Sequence, residues 1–367
     1  MNDPFMARAL DLAAGWKGRT SPNPTVGCVI VKDGSAIAEG WYQGAGTPHA
    51  EAMALDLAGE AARGATMYVT LEPHSFQGNT PPCSEAIIAA GVAEVHCSMI
   101  DPNPRVAGQG IAQLEAAGIR VVTGEGAAEA RRTNEAYIKH RETGRPLVIA
   151  KFAASLDGKI ASTSGDSRWV SGPDTLAWSH ELRTRIDAIA AGVNTVLIDN
   201  PQLTARPGDR LAERQPLRVV IDSRGRTPAD ANVLPSASAG CAKTLVATTG
   251  ASSAAWRAQI EATGARVEVL PDQAGRVSLP ALLDLLGAQD VMSLLIEGGG
   301  VLLGSFFDQR LVDKVHAVIA PIVIGGASAP TAVAGEGASR MADALRLRDV
   351  TVDRLGADVL VTGLVDS

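Results

Sequence analysis

The sequence predicts an α/β protein built from two successive domains. Apolar runs of strand length alternate with helical stretches along most of the chain. Its 367 residues exceed what one typical hydrophobic core serves. Gly144-Arg145-Pro146 interrupts the alternation, and a fresh apolar strand begins at Leu147. The domains are therefore placed at 1–145 and 146–367.

In the first domain, Phe5 to Trp16 has the apolar spacing of an amphipathic helix. Val26 to Val31 reads as a buried strand, with Ala36 to Trp41 as its hairpin partner. A helix follows at His49 to Arg63 and a strand at Thr66 to Leu71. After a loop from Pro73 to Pro82, Cys83 opens a helix that ends near Ala90. A strand in Val92 to Ile100, a helix at Ile111 to Ala117 and a strand at Ile119 to Thr123 continue the alternation. Ala127 to Thr143 is charged and reads as a solvated connecting helix. In the second domain, strands are expected at 147–154, 187–191, 217–221, 244–248, 266–270, 291–296 and 313–320. Helices are expected at 173–185, 252–262, 279–287 and 300–308.

Composition excludes several functions. A net charge of −7 offers no broad basic face, so no nucleic-acid partner is expected. Four scattered cysteines do not form a disulfide framework, which points to a reducing cytoplasm. The first residues carry an acid, Asp3, and no continuous apolar core, unlike a signal peptide. The uncharged stretch from Val315 to Gly335 is interrupted by Pro321 and Pro330, so it reads as strand and loop rather than a membrane span.

The chemistry is carried by His49-Ala50-Glu51, then Pro73-His74, then Pro82-Cys83. Zinc nucleobase deaminases place a His or Cys beside an alanine and glutamate, followed by a proline-preceded cysteine and another cysteine. Here His74 stands where the first of those two cysteines is expected. Three protein ligands leave zinc one open position for water, as a catalytic site requires. Imidazole and thiolate both suit zinc, so the exchange is permissible. Glu51, two residues from His49, can enter the same cleft without ligating the metal and shuttle a proton. A lone His-x-Glu is common by chance; the two proline-preceded ligands downstream make this one specific. Cys28, Cys97 and His96 sit in apolar runs and read as ordinary core residues. Farther on, Leu294-Leu295-Ile296 runs into Glu297-Gly298-Gly299-Gly300 and a helix, a place where bare amides suit a phosphate.

Both halves resemble one family. Ser21-Pro22-Asn23-Pro24-Thr25-Val26-Gly27-Cys28, His49-Ala50-Glu51, Thr70-Leu71-Glu72-Pro73 and Thr80-Pro81-Pro82-Cys83 are similar to the bifunctional deaminase–reductases of riboflavin biosynthesis. So are Lys151-Phe152-Ala153-Ala154-Ser155-Leu156-Asp157-Gly158, Ser167-Arg168-Trp169-Val170-Ser171-Gly172, Asp199-Asn200-Pro201-Gln202-Leu203-Thr204-Ala205-Arg206 and Ile296-Glu297-Gly298-Gly299. The resemblance implies a cytidine-deaminase-like first domain and a dihydrofolate-reductase-like second one. It implies deamination of 2,5-diamino-6-ribosylamino-4(3H)-pyrimidinone 5′-phosphate, then NADPH-dependent reduction of the ribosyl to a ribityl group. Carried over by motif, His49, His74 and Cys83 hold Zn2+, Glu51 is catalytic and Asn23 touches the deaminase substrate. Ser167, Arg183, Leu203, Arg206 and Glu297 line the reductase substrate pocket. Ala153, Trp169, Thr195, Asp199, Ser223, Gly299 and Gly300 meet NADPH. The implied partners are a small phosphorylated pyrimidine and further copies of the chain as a homo-oligomer, with no membrane.

The chain departs from the family in one loop. The family reads Pro-Cys-Ser-His, then Gly, then Lys or Arg before Thr-Pro-Pro-Cys. Here the loop reads Pro73-His74-Ser75-Phe76-Gln77-Gly78-Asn79-Thr80. Asn79 replaces a cation expected against the substrate phosphate, unless Lys17 or Arg19 supplies one. Two other readings follow from the sequence: a nucleic-acid-editing deaminase fused to an unrelated domain, and a reductase whose zinc-binding half is weakened or non-catalytic.

Overall fold

Residues 3–78, 81–236, 240 and 242–366 are described by the computed structural model of the chain; Asn79 and Thr80 of the altered loop lie outside them. The chain divides into two units, residues 1–144 and 145–367.

In the first unit the order is α1 (Pro4–Ala14), β1 (Gly27–Lys32), β2 (Ser35–Trp41), α2 (Ala50–Ala58), β3 (Thr66–Val69), α3 (Cys83–Ala90), β4 (Glu94–Cys97), α4 (Gln109–Ala116), β5 (Arg120–Thr123), α5 (Ala127–Thr133) and α6 (Glu135–Thr143). The sheet order is β2-β1-β3-β4-β5. β1 pairs antiparallel with β2 and β3, whereas β3, β4 and β5 run parallel. Side chains alternate across each strand. Cys28, Ile30, Met67 and Val69 therefore pack one face against Ala50, Ala54, Ile87 and Leu114 from α2, α3 and α4. Val29, Val31 and Tyr68 pack the other against Met6 and Leu10 of α1 and Tyr137 and Ile138 of α6.

Two expectations fail here for stated reasons. The connector predicted at 127–143 is two helices and partly core. Asn134 separates them, buried, accepting a hydrogen bond from Thr25 N (2.8 Å) and donating one to Thr25 O (3.0 Å). A side chain that pairs with backbone competes with helix continuation. Nor is His96 an apolar-core residue. Its half-buried ring stacks on Tyr68 (4.6 Å) between Glu94 (3.0 Å) and Glu125 (3.4 Å). Cys28 and Cys97 are fully buried.

The second unit contains β6 (Leu147–Ser155), α7 (Pro173–Thr184), β7 (Ala188–Gly192), α8 (Val193–Asp199), β8 (Leu217–Ile221), β9 (Thr244–Thr248), α9 (Ala254–Glu261) and β10 (Arg266–Val269). A hairpin of β11 (Asp272–Gln273) and β12 (Arg276–Val277) comes next, then α10 (Leu279–Gly287), β13 (Ser293–Ile296), α11 (Gly300–Asp308), β14 (Lys314–Ala320), β15 (Leu347–Leu355) and β16 (Asp358–Val365). The sheet order is β10-β9-β8-β7-β13-β6-β14-β16-β15. From β10 to β14 every pairing is parallel; β16 and β15 add antiparallel pairs at one edge. Parallel strands are covered on both faces, and β9 and β13 are buried throughout. Among the described residues no helix is long and apolar enough to cross a membrane.

Candidate active sites

In the first unit the trio is brought together by two helix starts and a loop. His49 is the N-cap residue of α2, and Glu51 lies in its first turn. α2 rests directly on β2, so closely that a Cβ on Gly40 would stand 2.1 Å from Ala50 O. Cys83 is the first residue of α3, behind Pro82. His74 belongs to the segment after β3, and Ser84 N–H donates to its carbonyl at 3.2 Å. That bond ties the His74 loop to the start of α3.

One donor atom from each of His49, His74 and Cys83 lies within 4.8 Å of the others. Cys83 Sγ is 3.4 Å from His49 Nδ1, and the imidazole rings are 4.6 Å apart. Tetrahedral zinc with bonds of about 2.0 Å to nitrogen and 2.3 Å to sulfur needs donor separations of about 3.4–3.6 Å. The trio therefore fits zinc with small adjustments. Burial, then the neighbouring His74, holds His49 down at about 4, keeping its imidazole in the neutral form a metal requires. Burial and Glu51 push the Cys83 thiol up; a coordinated cation reverses that and deprotonates the thiol. Glu51 is 4 % exposed, and burial raises its carboxyl above the usual carboxylate range. A raised carboxyl pKa favours a group that can both take up and release a proton.

The surrounding residues add detail that the motif did not contain. Asn23 Nδ2 donates to Tyr42 Oη at 2.8 Å, and the Tyr42 ring meets His49 edge-on at 5.3 Å. Glu72, just before Pro73, accepts backbone N–H groups from Asp101, Gly108, Gly110 and Ile111. It pins the turn ahead of α4 against the His74 segment. Phe76 meets His74 at 5.6 Å and carries the Arg105 guanidinium 4.0 Å above its ring. Lys17 donates to Arg132 O (2.6 Å) and pairs with Glu135 (2.8 Å), so its charge is already matched.

In the second unit a cleft of about 1460 Å³ opens at the carboxyl ends of β6, β7, β8 and β13. Ligands bind at this edge of open parallel sheets. Ala153, Ser167, Arg183, Leu203, Thr195, Asp199, Ser223, Glu297, Gly299 and Gly300 all line it. Two of the residues expected there do not. Trp169 is 70 % exposed, and Arg206 is not among the lining residues; it donates to Thr204 Oγ1 at 2.6 Å and to Gln202, near enough to Arg183 for the two charges to oppose each other. At the centre, Arg183 forms an ion pair with Glu297 and donates to Thr204 O at 3.0 Å. Lys151 reaches Glu297 at 3.9 Å. Burial opposes ionisation of Glu297, but Arg183 and Lys151 outweigh it and hold the carboxyl at about 2. Burial lowers Lys151.

The turn into α11 has room for a ligand. Gly299 N–H donates to Thr195 Oγ1 at 3.3 Å. A Cβ on Gly300 would stand 2.2 Å from Thr331 O, which explains that glycine by close approach. A Cβ on Gly299 would meet nothing within 4 Å, and its φ of −67° asks for no glycine. Gly299 lines the cleft, so that space is open to a ligand, and first-turn amides suit a phosphate.

Comparisons with known proteins match both halves of the chain. Residues 1–99 match the cytidine and deoxycytidylate deaminase zinc-binding region, and residues 146–361 match the RibD C-terminal domain. The riboflavin biosynthesis protein RibD of Escherichia coli (strain K12) is 41% identical over 367 residues, covering 97% of each chain. That of Bacillus amyloliquefaciens is 39% identical, covering 99% of this chain and 96% of its own. The chain belongs to the RibD family. Solved RibD structures align along its length: one from Acinetobacter baumannii has TM-score 0.87 at 36% identity, covering 99% and 98% of the two chains. A Thermotoga maritima diaminohydroxyphosphoribosylaminopyrimidine deaminase/5-amino-6-(5-phosphoribosylamino)uracil reductase has TM-score 0.83 at 34% identity, with the same coverage. This RibD-family chain is a bifunctional enzyme of riboflavin biosynthesis, with a zinc-binding deaminase region and a reductase domain.

Proposed function

We propose that residues 1–145 deaminate diaminohydroxyphosphoribosylaminopyrimidine and that residues 146–367 reduce the deaminated product with NADPH. The observation that carries this is the buried Glu51 beside the clustered His49, His74 and Cys83. His49, His74 and Cys83 would hold zinc, which supplies Lewis acidity and brings a water toward neutral pKa. Glu51 takes a proton from the attacking water and delivers it to the departing amine, so that a ring N=C–NH2 and water become a ring HN–C=O and ammonia. Tyr42 orients Asn23 toward the substrate from the His49 side. A zinc held only as a scaffold has no use for an acid buried against its cysteine, which disfavours the non-catalytic reading.

In the reductase cleft, NADPH supplies the hydride, and the protein supplies position and charge. Arg183 and Lys151 outnumber Glu297, leaving positive charge for a phosphorylated sugar. Ser167 donates to Asp199 Oδ1 (3.4 Å), fixing that carboxylate on the cofactor side. Arg206 holds Thr204 by a hydrogen bond and adds a second guanidinium near Arg183 for the substrate phosphate.

The described cysteines are free thiols, which supports a cytoplasmic enzyme. Exposed Val350 and Val352 on edge strand β15 suit a second copy, and sedimentation of the purified chain would give the oligomer's mass. The metal assignment is tested by elemental analysis. Wild type should hold about one zinc per chain and Cys83→Ala should lose most of it; full retention in the variant would overturn the ligand set.

A further inference from the structure

Three arginines face the reductase cleft away from the Arg183–Glu297 pair. Arg224 and Arg226 sit on the turn that leaves β8, and Arg276 sits on β12. The turn is fixed by Asp222, whose carboxylate accepts the N–H groups of Gly225 (3.1 Å), Arg226 (2.6 Å) and Thr227 (2.7 Å). The hairpin is docked on it by Val277 N–H, which donates to Ser223 Oγ at 3.0 Å. The chain neighbours of Arg276 and Arg224 are thereby joined. Among the described residues, none of the three forms an ion pair. Arg226 donates to Asn194 Oδ1 (2.8 Å) and Arg276 to Ser305 Oγ (3.1 Å), both neutral, and the acid nearest in sequence is engaged by backbone amides.

Three guanidiniums held on two braced turns, none in an ion pair among the described residues, offer a site for a doubly charged anion. The cleft already has one anion position, at the amides of α11 beyond β13. β8 lies two strands from β13 in the sheet, with β7 between. Two strand spacings are about 10 Å, a gap that a nucleoside can bridge between two phosphates. Resting on the proposed NADPH reading, we propose that Arg224, Arg226 and Arg276 bind the phosphate ester on the adenosine ribose, the group that distinguishes NADPH from NADH.

Calorimetric titration of the full chain with NADP+ and NAD+ tests this without turnover. Wild type should bind NADP+ more tightly than NAD+, and 2′,5′-ADP more tightly than 5′-AMP. Arg224→Gln, Arg226→Gln and Arg276→Gln should each weaken NADP+ by about tenfold or more, the loss of one charge-assisted hydrogen bond. NAD+ binding should stay unchanged, which also reports that each variant is folded. Equal weakening of both dinucleotides would mean that the arginines meet a group common to the two, and would overturn the proposal. Unchanged NADP+ binding in all three variants would overturn it as well. If wild type bound neither dinucleotide, the NADPH reading itself would fall.

Discussion

Glu297 shows how one carboxylate can order a site. Its ordinary value of 4.5 is drawn to about 2 by Arg183 and Lys151 against the opposing effect of burial. A carboxyl whose folded value is depressed stabilises the fold above its unfolded value, and that stability disappears as pH falls toward the folded value. The contribution should be worth about 3 kcal/mol at neutral pH and vanish between about pH 4.5 and 2. Thermal melts of wild type and Glu297→Gln should therefore differ most at pH 7, with the gap shrinking below about pH 4.5 and closing as pH approaches about 2. A gap that stays constant into acid would show that the ion pair does not set the stability. At the altered deaminase loop, Lys17 is already paired, and Arg105 lies over Phe76. Arg105→Ala should raise the Michaelis constant for deamination about tenfold and leave reduction unchanged; an unchanged constant would place the phosphate elsewhere. The zinc trio was legible in sequence because both later ligands follow proline and Glu51 has no other use at that spacing. Lys151 stands in the motif that opens the second domain, and the motif implies no role for it. A lone lysine in an apolar parallel strand must find a partner, and that signal was available. Tyr42 gave none, since its value depends on Asn23 and His49 meeting in space.

Helices and strands place these residues by close approach. A Cβ on Gly110 would stand 1.9 Å from Pro73 O, immediately before His74. Gly110→Ala should cost about 1–3 kcal/mol of overpacking and move the ligand loop. Competition with a chelator should show weaker zinc retention, with reduction unaffected. A lowered melting point without any change in zinc affinity would mean that α4 yields instead of the loop. Most elements were legible because buried parallel strands read as continuous apolar runs between helical stretches. The break at Asn134 was not, because it depends on a pairing with Thr25 across the fold. β15 and β16 are not legible in the sequence although Val350 and Val352 alternate with Asp349, Thr351 and Asp353 in a strand-like pattern. Charge masks the periodicity of β15, and Thr362-Gly363 interrupts the apolar run of β16. The short α8 follows β7 without a turn residue to announce it beyond Gly192.

At the scale of the whole chain, two units carry two chemistries. A fragment of residues 145–367 contains its own sheet and the complete reductase cleft. It should fold and oxidise NADPH with pre-deaminated substrate at a rate close to the full chain; an insoluble or inactive fragment would show that the first unit completes the second. The separation is tested most directly by Glu51→Gln in the full-length protein, with ammonia release and NADPH oxidation measured on the same preparation. Zinc content should match wild type, ammonia release from the diaminopyrimidine should fall ~100- to 10,000-fold, and NADPH oxidation with pre-deaminated substrate should be unchanged. Loss of both activities together, or ammonia release that survives the substitution, would contradict an acid–base role for Glu51 in a self-contained deaminase centre.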